Sequence, residues 1–124
     1  KKETEKYSKS GLKEKQAEEY LEKLIQIMEK DKPYLNGDLS IHDLSTLTGI
    51  PRHHITQVLN EKYGRNFFTF INEYRVKEVI SRFSDPVNNN FTILAIAIDS
   101  GFNSKTTFNS IFKLSFTILP LSAA

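Results

Sequence analysis

Apolar residues recur at intervals of three and four along most of this chain, and no stretch alternates apolar with polar positions long enough to make a strand. The pattern predicts an all-α protein. From about Lys15 to Lys30 the positions Ala17, Leu21, Leu24, Ile25 and Met28 place one stripe on one helix face, and Pro33 ends that helix. Asn36-Gly37-Asp38 reads as a turn, and Ser40 with Asp43 as a short capping box for the next helix. Tyr63-Gly64 closes a later one. The run Phe67 to Phe83 carries Phe67, Phe70, Ile71, Tyr74, Val79, Ile80 and Phe83 on a broad helical face, which predicts a long connector helix. Ser84 to Asn90, with Pro86 and a run of asparagines, predicts a loop before Thr92 caps another helix.

Within this pattern one device occurs twice, over Leu39 to Leu59 and over Phe91 to Phe112. In each copy a hydroxyl residue opens a short helix and a large-plus-small pair, Leu44-Ser45 or Ile96-Ala97, sits mid-helix. A Gly-apolar pair, Gly49-Ile50 or Gly101-Phe102, then makes the turn into a second amphipathic helix. The glycine supplies a positive φ, and the small residue lets the second helix cross closely over the first. Both copies therefore predict helix-turn-helix units. The expected organisation is a linker over residues 1–14, an N-terminal helix plus first helix-turn-helix over 15–65, the connector over 66–83, and a second helix-turn-helix with an atypical tail over 84–124.

Bulk properties narrow the class without deciding it. A chain of 124 residues with 39% apolar content can bury one core or two small ones, and the longest apolar run, Ile93 to Ile98, is too short for a bilayer. The absence of cysteine removes disulfides and thiolate metal sites. The chain starts at Lys1 with no signal-peptide pattern, which reads as a piece of something longer. A formal net charge of +2 says little about a nucleic-acid partner, whereas its distribution says more. Acids and bases mix in Lys1 to Lys32, but in the second-helix segments Arg52, Lys62, Arg65, Lys105 and Lys113 face only Glu61.

The motifs Phe67-x-x-Phe70-Ile71-Asn72-x-Tyr74-Arg75 and Ile93-x-x-Ile96-Ala97-x-x-x-Gly101-Phe102-x-Ser104-x-x-x-Phe108-x-x-x-Phe112-Lys113 resemble the DNA-binding domain of the AraC/XylS family of bacterial transcription regulators. The resemblance runs from about Leu39 to Lys113 and is most specific in the second unit. Ser45 stands where that family usually has alanine, and Pro51 where a capping serine is common. The stretches Lys9-Ser10-Gly11-Leu12 and Lys32-Pro33-Tyr34-Leu35 look like members in which the domain ends a larger, sometimes membrane-anchored, sensor. The resemblance implies a cytoplasmic domain that binds promoter DNA, with RNA polymerase as a further partner and the sensing or dimerising part outside this chain.

A recognition helix reads DNA by entering the major groove, where each base pair shows a distinct pattern of donors and acceptors. With Ile55, Val58 and Leu59 inward, Arg52, His53, Thr56 and Gln57 face outward in the first copy. With Phe108, Ile111 and Phe112 inward, Lys105, Thr106, Asn109 and Ser110 face outward in the second, with Ser104 as cap and Lys113 completing the DNA-binding set. These positions also align with the family's base- and phosphate-contacting positions. A rigid connector would set the two readers roughly one DNA turn, about 34 Å, apart, for one binding event on one face.

Other chemistry finds no support in the pattern. His53 and His54 are adjacent, so on a helix they diverge by about 100° and do not chelate one metal. Glu18-Glu19 read as solvated, with no third group for acid-base work. The five glycines are isolated, so no phosphate-cradling loop is present, and neither an enzyme nor a cofactor is expected. The rival reading is a helical module that uses helix-turn-helix geometry to bind protein. After Lys113 the chain departs from the family's Thr-Pro pattern and reads Leu114-Ser115-Phe116-Thr117-Ile118-Leu119-Pro120-Leu121-Ser122. Codons exist for Ser115 to Ser122 that, read one nucleotide earlier, restore an Ile-Thr-Pro sequence, so a frameshifted end is expected.

Overall fold

The structure, a computed structural model, describes residues 12–118, with side chains described through residue 113. Among the described residues the elements are α-helices and short turns, and no strand is present. The helices are α1 (Glu14–Lys30), α2 (Ile41–Thr48), α3 (Arg52–Val58), α4 (Phe67–Phe83), α5 (Ile93–Asp99) and α6 (Lys105–Ile118). Single 3₁₀ turns cover Pro33–Leu35 and Pro86–Asn88, and a π-helical turn, Leu59–Tyr63, continues α3. The all-α class read from the periodicity is the class observed. The chain divides into two compact units, one formed by the described part of residues 1–33 and by 39–70, the other by 34–38 and the described part of 71–124.

In the first unit the stripe on α1 turns inward, with Ala17, Leu24 and Met28 fully buried and the helix packed on α3. Leu12, which the pattern puts at the end of a polar segment, is fully buried as well. The backbone at Lys32 reaches φ 49°, in the left-handed region, and the chain leaves the helix before Pro33. At α2 the capping box is complete: the Asp43 N–H donates to Ser40 Oγ at 3.1 Å and the Ser40 N–H donates to Asp43 Oδ2 at 3.0 Å. The Ser40 backbone N–H, and after it the Ser40 hydroxyl, favour the ionised carboxylate and hold the Asp43 carboxyl below the usual carboxylate range.

The turn after α2 depends on Gly49, whose φ of 75° lies where a Cβ is strained. The Ser45 hydroxyl is not left stranded, since Oγ donates to the Ile50 carbonyl at 2.5 Å. Thr48 Oγ1 donates to the Leu44 carbonyl at 2.8 Å and accepts from the Ile50 N–H at 3.2 Å. Leu44 of α2, Ile50 of the turn, Ile55 and Val58 of α3 and Leu59 of the π-helical turn then close the core. Gly64, at φ 78°, stops the π-helical turn, and Tyr63 meets Phe70 edge-on at 5.0 Å.

In the second unit Val76 and Val79 of α4 form a buried cluster with Ile96, Ala97, Phe102 and Phe108, while Ile93, Ile111 and Phe112 pack on its margin. Phe102 and Phe108 meet at 5.3 Å between ring centroids and 66° between planes, an edge-to-face geometry that adds about 0.5–1.5 kcal/mol to area burial. Thr92 caps α5, its Oγ1 accepting from the Ala95 N–H at 3.1 Å. At the C-terminal end the Phe102 N–H donates back to the Ala97 carbonyl at 3.1 Å, across Gly101 at φ 109°.

The face predicted for α4 needs correction. Phe67 is half-buried and Ile80 and Phe83 are exposed, while Asn72, Arg75 and Val76 are buried. Arg75 explains the polar part of that burial: Nε donates to the Tyr34 carbonyl at 2.8 Å, Nη2 to the Asn36 carbonyl at 3.0 Å and Nη1 to Asn72 Oδ1 at 3.0 Å. Residues 34–38 therefore belong to the second unit, although helices of the first precede and follow them. The predicted loop before α5 contains a 3₁₀ turn, which Asp85 opens by accepting from the Val87 N–H at 3.1 Å. The frameshift reading of the tail falls on side chains outside the described residues.

Candidate nucleic-acid interface

The first candidate surface is the outer side of α3. Gly49 and Pro51 set the entry of the chain into that helix, and complete burial of Ile55, Val58 and Leu59 fixes its rotation. Arg52, His53 and Thr56 are consequently exposed, as the periodicity requires, whereas Gln57, expected to face outward with them, is half-buried. The His53 and His54 rings lie 4.2 Å apart between centroids, and His54 turns back onto Tyr20 at 5.9 Å. The outward side therefore presents one imidazole rather than two. Gln57 Nε2 donates to Glu61 Oε1 at 3.3 Å, a pairing across the start of the π-helical turn that the periodicity did not reveal.

Not every cation near α3 is available to a ligand. Lys62 Nζ lies 3.4 Å from Glu14 Oε1 and 3.7 Å from Glu18 Oε2, with its side chain only 15% exposed. The sequence alone opposed only Glu61 to these cations and left Glu18 solvated; the fold instead brings two carboxylates of α1 to Lys62.

The second surface is the outer side of α6. Ser104 caps the helix, its Oγ accepting from the Thr107 N–H at 3.1 Å and donating to Thr107 Oγ1 at 3.0 Å. With Phe108 buried and Ile111 and Phe112 on the core margin, Lys105, Thr106, Asn109, Ser110 and Lys113 are exposed. The cap absorbs much of the hydrogen-bonding capacity of Ser104. Asn103, just ahead of it, donates through Nδ2 to the Gly37 carbonyl at 2.7 Å, which fixes the turn that aims α6.

Each unit thus places an apolar-backed, polar-fronted helix after a glycine turn. A family model described as a helix-turn-helix domain, of the AraC type, matches residues 44–123, more than half of the chain. The chain belongs to the AraC-type helix-turn-helix family. No curated protein and no solved structure matches it significantly. An AraC-type helix-turn-helix domain is a DNA-binding module of the transcription-regulator kind, and the family is not enzymatic. In this AraC-type domain no helix of the described residues is long and apolar enough to cross a membrane.

The buried polar groups of the second unit belong to the scaffold. Burial, with the Glu78 carboxylate as second cause, pushes the Tyr34 hydroxyl well above the usual tyrosine range, and Tyr34 Oη donates to Glu78 Oε1 at 3.1 Å. Glu78 Oε2 also accepts from Arg82 Nε at 2.7 Å. Burial likewise lowers the Arg75 guanidinium from its ordinary value, yet three acceptors surround it and it remains the cation that holds residues 34–36.

Proposed function

We propose that this domain binds double-stranded DNA sequence-specifically through two recognition helices, α3 and α6, as the output domain of a bacterial transcription regulator. The observation that carries the reading is the shared build of those helices. Each backs an outward face of amides, hydroxyls and cations with buried apolar residues. Such a face suits the major groove, where side-chain amides and hydroxyls meet base edges and cations meet phosphates. Arg52, His53, Thr56 and Gln57 serve the first reader, and Lys105, Thr106, Asn109 and Ser110 the second. Ser104 caps the second reader and presents backbone N–H groups beside it, while Lys113 meets phosphate.

Exposed large apolar side chains would favour a protein partner on these faces. Those seen among the described residues, Leu47, Phe68, Ile80, Phe83, Val87, Phe91 and Ile98, all lie outside α3 and α6. We place the domain in the cytoplasm, with the sensing or dimerising part and any contact to RNA polymerase belonging to the intact regulator. The test is selection of bound duplexes from a random pool, followed by footprinting. Enrichment of one site protected over two successive major-groove segments supports the reading, and Asn109→Ala should then relax preference in one segment only. A protein that enriches no sequence would contradict it.

A further inference from the structure

Gln57 and Glu61 form a polar pair on the outer side of the first recognition helix. Both are half-buried, and the Nε2 to Oε1 distance is 3.3 Å. An ionised carboxylate only accepts hydrogen bonds, so the pair dictates which end of the Gln57 amide faces Glu61. One N–H of Nε2 is committed to the carboxylate, which turns that end of the amide toward Glu61 and makes Oε1 the acceptor that Gln57 can offer a ligand. The turn Leu59–Tyr63 that carries Glu61 is itself anchored, with Leu59 fully buried and the Gly64 N–H bonded to the Leu59 carbonyl.

We propose that Glu61 is a positioning residue that sets the base preference of Gln57, an inference that rests on α3 being a recognition helix. With Oε1 outward, Gln57 selects a base that shows a donor to the major groove, adenine through N6 or cytosine through N4. Guanine and thymine offer acceptors at the corresponding place, through O6 and O4, and meet Oε1 unfavourably. Without Glu61 the amide turns end for end, presents Nε2 as readily as Oε1, and accepts either class of base. The specificity therefore lies in a residue that need not touch the DNA.

The experiment uses duplexes obtained by selection with the unmodified chain. Each position of the selected site is changed through the four base pairs, and the position at which Gln57→Ala flattens preference is identified. At that position the unmodified chain should favour adenine or cytosine on one strand by about tenfold, within the range of one good side-chain contact. Glu61→Ala should bring that ratio to within about twofold of unity, while affinity for mixed-sequence DNA holds or rises because a negative charge near phosphates is gone. Glu61→Gln, of equal size, keeps an oxygen acceptor but can turn its own amide, so its ratio should fall between the two. It also guards against a folding failure in Glu61→Ala, with circular dichroism as the check. An unchanged ratio in both Glu61 variants, or one common factor at all four base pairs, overturns the proposal. So does a Gln57→Ala that flattens no position. In that event continued duplex binding would leave the recognition-helix reading standing, whereas an unmodified chain that binds no duplex would remove that reading first.

Discussion

Arg75 Nε donates to the carbonyl oxygen of Tyr34 at 2.8 Å, a bond that joins positions 41 residues apart and fixes residues 34–38 within the second unit. The same guanidinium serves the Asn36 carbonyl, so one side chain holds two backbone acceptors. A buried carbonyl that loses its partner costs about 1–3 kcal/mol. Arg75→Met should therefore destabilise the second unit by at least that amount in urea unfolding. Arg75→Lys, with a point charge in place of a planar fork, should recover only part of the loss.

The two turn glycines should answer differently to alanine. At Gly49 a Cβ meets nothing within 4 Å, so only the left-handed backbone penalises it, at about 1–2 kcal/mol. At Gly101 the same atom would collide with the Tyr34 carbonyl and the Arg75 side chain. Thermal melts should rank Gly101→Ala well below Gly49→Ala, and equal melting temperatures would mean the contact at Gly101 is absent.

Ala97 is completely buried within the cluster of the second unit. Extra methylenes in a packed core cost about 1–3 kcal/mol, so Ala97→Leu should lower stability and near-native helicity should survive in the first unit. Circular dichroism melts check both parts.

Much of this architecture is legible in the sequence because it depends on local chemistry. Ser40-Asp43 and Thr92 announce helix starts, Gly49, Gly64 and Gly101 announce turns, and helical spacing names Ile55, Val58 and Phe108 as inward. What the pattern misses is long-range and polar. Nothing in Asn36-Gly37-Asp38 shows that it joins the second unit, since that follows from Arg75 and Asn103, both polar residues that apolar periodicity ignores. The exposure of Ile80 and Phe83 is missed for the converse reason: spacing gives a helical phase but not whether anything covers the last turn. On the candidate interface, outward positions are readable, whereas the pairing of Lys62 with Glu14 and Glu18 requires α1 to be docked.

That pairing separates Lys62 from the cations proposed to meet DNA. Lys62→Ala should leave the salt slope of DNA binding unchanged and act on the stability of the first unit. Lys105→Ala should reduce the slope by about 0.9, the value for one phosphate neutralised. Equal slopes in the two variants would contradict this division of roles.

The capping box makes α2 sensitive to acid. The Ser40 backbone N–H, and after it the Ser40 hydroxyl, hold Asp43 below its ordinary range, so the folded pKa is depressed relative to the unfolded chain. The resulting stability is present above the ordinary carboxylate value of about 3.9 and is lost as pH falls through the depressed folded value. The melting advantage of the unmodified chain over Asp43→Asn should be present at neutral pH and shrink toward zero in strong acid. A constant difference across that range would show that Asp43 is not linked to folding.

We propose that the outward faces of α3 and α6 engage the DNA backbone while reading its bases, and the salt dependence of binding tests this most directly. Affinity for a duplex carrying the selected site should fall linearly on a plot of log K against log salt, with a slope of about −0.9 for each phosphate neutralised. Several phosphates should be counted, and non-specific duplex should bind more weakly than the selected site at every salt concentration. A flat response to salt, or equal affinity for selected and random duplex, would contradict the account.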